Sequence, residues 1–517
     1  MASTTISECP VWDIQREFYK NEGTEGWNNK VPFYATSNAF IANAYANIII
    51  AYARECIEKG MVKSDQPFLL LELGAGTGKF TYLLLKRLIE LQVATRCTTL
   101  AVKYLATDFV EKNLRFIKEQ LNLEDYIAQG YLELAMFDIE KDDSLNLLYS
   151  RKTISLSDDF LKRNPLIIIS NYVFDSLPQD IFRTTAGSLQ IGRINYRSDP
   201  GYLSNNESVD MEKIGDISYH NISLPYYGDP LIDEVLGQYA TSGYEGYFSM
   251  PVRTIKFLKR VIKSGAAPHL MICSDKAVHK NDGNYSLTPP EITYHQGAFS
   301  STVNFNALDR SYRLNQGDCY HQSTPSDIIT SAFIAGSGFN DLPKTAFALM
   351  NHLDIAGPGD LLNLYKFLTL HQGRMDLYQI FSFLNILNWD TGAFDICAPT
   401  IRALLKTANT TLIMSLTENI PRVFNNFYKT PGCADTLFNI ALILQEIKQF
   451  KGALHYYNLS CAYFGCREDT RYNMALCELN SENYENAKDL FTLILQENPH
   501  HILSKGWIAY IDEREKP

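Results

Sequence analysis

The stretch from Pro67 to Lys79, PFLLLELGAGTGK, carries the residue types of a ligand-binding turn. A continuous apolar run, Phe68 to Leu71, leads into an acid, Glu72, and then into glycines at alternate positions, Gly74, Gly76 and Gly78. A helical pattern, FTYLLLKRLIELQ, starts at once. This order predicts a buried strand entering a tight turn that opens a helix. Glycine lets backbone approach a ligand closely because it has no Cβ. The free N–H groups at the helix start then face that ligand. A nucleotide-like group is what such a turn serves, although a glycine turn with no ligand remains open on these residues alone.

Three nucleotide readings compete. A phosphate-binding Walker loop needs a glycine five positions before the Gly-Lys pair, where this chain has Leu73, and a Ser or Thr where it has Phe80. A dinucleotide fingerprint, G-x-G-x-x-G, is met by Gly74 and Gly76 but fails at Lys79. The third pattern, acid-x-G-x-G-x-G from Glu72 to Gly78, is complete. It resembles motif I of the class I S-adenosylmethionine (SAM) methyltransferases.

Further polar groups recur at strand ends. TLAVKYLATDF predicts a second strand ending in Asp108, where an acid can accept from both hydroxyls of a ribose. YLELAMFDIEKD predicts a third, ending near Phe137 and Asp138. An apolar ring beside a carboxylate suits an adenine, which packs flat and donates from its exocyclic amine. PLIIIS, residues 165–170, is the clearest buried strand. It runs into NYVFDSLPQDIF, a polar loop expected at the same rim, with Asp175 as the group that orients or deprotonates an acceptor. Asn171 and Tyr172 are expected beside it. Phe33 and Tyr34, with Thr36 or Ser37 capping the next helix, suit a lid over the ligand, and Thr36 joins the cofactor-binding set.

These groups need a scaffold of alternating strands and helices. Residues 1–350 are expected to form one α/β domain of Rossmann-like type. Within it, residues 1–30 read as polar with Gly23 and Gly26 in a loop, 141–164 as a polar connection with a helix, and 183–245 as an inserted hairpin or cap. Residues 246–264 read as a helix and 268–277 as a strand ending in Asp275. Residues 355–517 change to Leu-rich helical segments. From about 434 to 500 an internal repeat appears: Phe438-Asn439-Ile440-Ala441-Leu442 recurs as Tyr472-Asn473-Met474-Ala475-Leu476, and Ala453 and Tyr457 recur as Ala487 and Phe491, every offset being 34. That is the tetratricopeptide period, and such an array usually presents a concave peptide-binding face. Recruitment of a protein and homo-oligomer assembly are both open roles for it.

The ordered set VPFYATSNAF, LELGAGTGKF, YLATDFVEKNLR, SNYVFDSLPQDIF, ICSDKA and FSSTVNFNAL resembles the MidA family of SAM-dependent methyltransferases over about residues 30–310. Mitochondrial members of that family are complex I assembly factors that methylate protein arginine. The resemblance implies a class I methyltransferase fold, SAM as cofactor and a protein acceptor. The family's Asn-Glu is here Asn171-Tyr172, its Asp-Ile-Thr is Phe299-Ser300-Ser301, and its Asp-Tyr-Gly is Asp275-Lys276-Ala277. A guanidinium acceptor wants a carboxylate to hold it, so the missing Glu leaves the acceptor open. A small-molecule methyltransferase and a non-catalytic SAM-fold adaptor are the competing readings.

Bulk properties fit this picture. The chain has 517 residues and a net charge of −11. No basic footprint points to nucleic acid, and no apolar run approaches the ~20 residues that cross a membrane. The start, MASTTISECPVWDIQREFYK, has neither a basic segment followed by an apolar one nor Arg enrichment. Ten cysteines without a C-x-x-C pair read as reduced thiols of a cytoplasmic protein. Histidines at no ligand spacing give no metal site by sequence.

Overall fold

The computed structural model describes all residues except 1–2, 28–32, 64–65, 96–100, 157–163, 197–207, 210–214, 244, 264–267, 280–286, 291, 296–297, 325 and 515–517. The chain divides into two compact units, Met1–Leu362 and Asn363–Pro517.

The first unit is built on a ten-stranded mixed sheet. Its strands in chain order are β1 (Phe68–Leu73), β2 (Val102–Asp108), β3 (Leu132–Met136), β4 (Ser144–Leu147), β5 (Thr153–Ser155), β6 (Leu166–Asn171), β7 (His269–Val278), β8 (Val303–Asn304), β9 (Asp318–His321) and β10 (Ile328–Ala335). They lie in the order β9-β10-β7-β6-β1-β2-β3-β4-β5, with β8 beside β7. The run β7-β6-β1-β2-β3 is parallel. All six residues of β1 are buried, as a central parallel strand with covered faces requires. The order reverses between β1 and β6, which opens a crevice beyond the carboxyl ends of the strands.

The described α-helices of this unit are α1 (Val11–Glu22), α2 (Ala39–Glu58), α3 (Lys79–Ala94), α4 (Glu111–Lys118), α5 (Leu121–Ala128), α6 (Pro230–Thr241), α7 (Val252–Lys263), α8 (Phe305–Leu314) and α9 (Pro343–Leu353). A second, five-stranded antiparallel sheet contains Thr4–Thr5, Asp180–Thr185, Ser188–Tyr196, Gly215–Asn221 and Gly246–Met250. It occupies much of the region expected as a hairpin or cap.

Four local expectations are corrected. The stretch read as polar with Gly23 and Gly26 in a loop contains α1, whose buried face is Val11, Trp12, Gln15 and Tyr19 at helical spacing, and Gly23–Trp27 form a 3-10 turn. Val11 and Trp12 pack with Ile6, Ile181, Ile194 and Phe299. The described part of 141–164 is the β4–β5 hairpin, since Leu145 and Ile154 are the buried partners of a cross-strand pair; the helix expected there would have to include 157–163, outside the described residues. Residues 246–250 form a strand before α7 starts at Val252. The cap of α2 is Asn38, whose side chain accepts from Ile41 N at 3.0 Å, rather than Thr36 or Ser37.

In the second unit the helices are α10 (Pro358–His371, begun in the first unit), α11 (Leu377–Ile386), α12 (Thr391–Leu405), α13 (Thr410–Asn425), α14 (Thr436–Glu446), α15 (Phe450–Phe464), α16 (Glu468–Asn480), α17 (Tyr484–Glu497) and α18 (Ile502–Arg514). Asp376, Asp390, Asn409 and Asp435 cap their helices with side-chain oxygens. Residues 34 apart take matching places: Ala441 and Ala475, Ala453 and Ala487, and Tyr457 and Phe491 are all fully buried. Among the described residues no helix is long and apolar enough to cross a membrane.

Candidate functional site

The carboxyl ends of β1, β2, β3 and β6 surround one cleft, roofed by α1. Leu73 and Gly74 follow β1, Thr107 to Val110 end β2, Phe137 to Ile139 follow β3, and Tyr172, Val173, Ser176 and Leu177 follow β6. Asn113 of α4 and Gln15, Arg16 and Tyr19 of α1 complete the lining.

The glycine turn is held by the end of β2. Ala75 N donates to Thr107 O at 2.8 Å, and Gly76 N donates to Asp108 Oδ2 at 3.0 Å. Gly74, Gly76 and Gly78 all have positive φ. At Gly74 the requirement is double: φ is +64°, and a Cβ would come within 2.9 Å of Val173 Cγ2. Asp108 also accepts from Val110 N at 2.8 Å and from Asn113 Nδ2 at 3.1 Å. Burial raises its pKa, and these donors oppose that rise.

Glu72 lies beneath the turn instead of in the cleft lining. Its Oε2 accepts from Thr81 Oγ1 at 2.5 Å and Tyr104 OH at 3.0 Å. Burial pushes its pKa up to about 7 despite these bonds, with the Asp108 charge adding to the rise. Glu72 therefore ties β1, β2 and α3 together. Gly76 and Gly78 shape the turn and the α3 start, where Gly78 is the left-handed N-cap.

Phe137 and Asp138 do reach the cleft. Phe137 is buried and packs on Phe257, ring centroids 6.2 Å apart. Asp138 is already partnered: Oδ2 pairs with Arg16, and Oδ1 accepts from Glu140 N at 3.1 Å. Arg16 also pairs with Glu140 at 2.7 Å and lies 4.8 Å from the ring centroid of Phe109. A free carboxylate for an amine is thus replaced by an ion pair that fastens α1 over the cleft.

The loop after β6 separates its three expected residues. Tyr172 lines the cleft, with φ +54° and a buried hydroxyl that has no partner among the described residues. Asn171 points towards α2, where its Oδ1 accepts from Tyr45 OH at 2.9 Å. Asp175 is buried beside Asp275 and is not part of the lining. The Asp275 carboxylate accepts from Phe174 N and Asp175 N, each at 3.4 Å. Burial pushes Asp175 up to about 6 and Asp275 well above the usual carboxylate range, the latter also through the Asp175 charge. Thr36 is buried, its hydroxyl 3.3 Å from Phe33 O, and is likewise outside the lining.

Sequence reasoning missed Gln15, Arg16, Tyr19 and Asn113. The helical spacing of Val11, Trp12, Gln15 and Tyr19 was the available signal for the first three. Asn113 lies on the helix directly after the acid-bearing strand, facing back to Asp108.

No family model matches the chain, and no curated protein does. Among solved structures it is similar to an uncharacterized COG1565 superfamily protein from Burkholderia thailandensis, with 12% identity, a TM-score of 0.39, and 69% of this chain and 85% of that one covered. It is also similar to a COG1565 superfamily member from the same organism, inferred to be a methyl transferase and bound to S-adenosyl-homocysteine, with 14% identity, a TM-score of 0.36, and coverage of 62% and 74%. Likeness at this level carries no argument about the chemistry of this chain.

Proposed function

We propose that the chain is a SAM-dependent methyltransferase acting on a protein, with the C-terminal helices recruiting that protein as tetratricopeptide-type repeats. The observation that carries the reading is the joint placement of Asp108 and the Gly74–Gly78 turn, bonded to each other at the crevice where the strand order reverses.

The cleft fits the cofactor on two further counts. A Cβ at Gly74 would fill space against Val173, so the turn keeps its backbone bare there. Asn113 Oδ1 and Tyr172 OH are buried polar atoms without partners among the described residues, which a ligand rich in donors and acceptors would satisfy. In this reading Asp108 accepts from the ribose, Gly74 lies along the methionine part, and Phe137 packs on the adenine. Arg16 holds Asp138 and Glu140 and keeps α1 in place as a wall that excludes water. When bound, SAM supplies an electrophilic methyl group for in-line transfer to a nucleophile. Tyr172, at the rim, is the residue nearest to the acceptor side. Its hydroxyl stays neutral, because burial and the nearby Asp175 and Asp275 charges raise its pKa.

Calorimetric titration with SAM and with S-adenosyl-homocysteine tests the cofactor. Binding lost in Asp108→Ala is the expected result; no binding by the unaltered chain would remove both enzyme readings and leave a scaffold. Transfer of a tritiated methyl group into a cell extract then tells protein from small-molecule acceptors.

A further inference from the structure

Helix α8 and edge strand β9 bring three metal-binding side chains together, far along the sheet from the cleft. A carboxylate oxygen of Asp309, Sγ of Cys319 and a ring nitrogen of His321 lie within 4.8 Å of one another. Cys319 and His321 are two residues apart on β9, so they share one face of the strand. Asp309 reaches them from α8.

His321 is set up as a ligand. Its Nδ1 is 2.8 Å from Ser331 Oγ on the neighbouring strand β10. The remaining nitrogen, Nε2, is buried and has no hydrogen-bond partner among the described residues. An imidazole that donates through one nitrogen to a fixed oxygen presents a lone pair at the other, which is how metal-bound histidines are held.

A cation already occupies the position. Arg313 Nε lies 2.6 Å from Asp309 Oδ1, and its Nη2 lies 3.5 Å from Cys319 Sγ. The same Nη2 is 3.1 Å from Asp318 Oδ1. The Arg313 side chain is 55% exposed. It can therefore turn away from Asp309 and Cys319 while keeping Asp318 as its counter-charge.

We propose that Asp309, Cys319 and His321 form a zinc site for which the Arg313 guanidinium is the stand-in. A mixed oxygen, sulfur and nitrogen set suits Zn²⁺ in preference to Mg²⁺ or Ca²⁺. On binding, the Cys319 S–H bond breaks, its proton passes to solvent, and a zinc–sulfur bond forms. The thiolate and the Asp309 carboxylate then balance the two charges of the ion. A solvent water takes the fourth position. Strands β10, β7 and β6 separate β9 from β1, so the ion acts on structure, clipping an edge strand to α8. C-x-H preceded by an acid on the helix before it is not a spacing that marks zinc in a sequence, which is why the sequence shows no metal site.

The test uses the full chain, stripped with a chelator and titrated with Co²⁺ and then Zn²⁺. The expected result is one equivalent of Co²⁺ with a sulfur-to-cobalt charge-transfer absorption that Zn²⁺ abolishes. Cys319→Ser removes that absorption, and His321→Ala weakens binding more than about tenfold. Arg313→Ala removes the competing cation and strengthens binding several-fold. This exposed position also keeps the test usable if the other variants fail to fold. Absence of the absorption in the unaltered chain, its persistence in Cys319→Ser, or weaker binding in Arg313→Ala would each overturn the site.

Discussion

Asp108 uses one carboxylate for two purposes. It holds Gly76 N, Val110 N and Asn113 Nδ2, and it faces the cleft. Asp108→Ala should therefore lower SAM affinity at least about tenfold and also destabilise the fold by about 1–3 kcal/mol, because buried donors lose their acceptor. Calorimetry and a denaturant melt read the two effects separately. Arg16→Ala should act differently. It leaves the turn intact but removes the ion pairs of α1 with Asp138 and Glu140, although Glu140 keeps Arg253 at 3.6 Å, so α1 becomes protease-sensitive and affinity falls while the core melt changes little. Glu72 gives a pH signature. Its pKa rises from 4.5 to about 7 on folding, so the folded state takes up a proton between those values. The stability it contributes is complete below pH 4.5 and is lost as pH climbs through 7, by about 3 kcal/mol at most. Glu72→Gln should flatten that slope in melts recorded from pH 4.5 to 8. At this scale the sequence was legible where a residue's placement follows from its strand end, as for Gly74, Asp108 and Phe137, which all line the cleft. It was not legible where a partner comes from a distant segment. Nothing in the local pattern around Asp138 names Arg16, and nothing around Asp175 names Asp275.

At the scale of elements, the turn after β1 is limited by sterics from the loop after β6. Gly74→Ala puts a Cβ against Val173 and a side chain at φ +64°. It should destabilise by about 1–2 kcal/mol from the left-handed backbone alone, plus the clash. Val173→Ala in the same chain should recover only the clash, which a double-mutant cycle measures. Parallel strands announced themselves because a strand buried on both faces reads as an unbroken apolar run, as in β1 and β6. Helix α1 did not, because its buried face includes Gln15, whose amide is satisfied by Ser176 O at 3.2 Å and Phe299 N at 3.3 Å. A polar residue with distant partners hides an amphipathic stripe. The β4–β5 hairpin was hidden for another reason: its strands are only four and three residues long, too short to establish a period.

For the whole molecule, the two units separate binding chemistry from helical packing. Ala475→Leu places extra volume at a fully buried helix contact of the second unit. It should cost about 1–3 kcal/mol, lowering the thermal midpoint while leaving SAM affinity unchanged in calorimetry. The burial of Ala441, Ala453, Ala475 and Ala487 was legible because close helix packing requires small residues at fixed offsets. The Asp309–Cys319–His321 cluster and the α1 wall of the cleft were not, since each is assembled from segments that only folding brings together. For the cleft this has a consequence during synthesis. Gln15 meets Phe299, 284 residues later in the chain, and Tyr19 packs with Ala298. Helix α1 is thus made long before the residues that seat it. A nascent chain stalled before residue 298 should hold β1, β2, β3 and β6 yet leave the roof unfastened, so the growing polypeptide would acquire its ligand late, after nearly all of the first unit has been made.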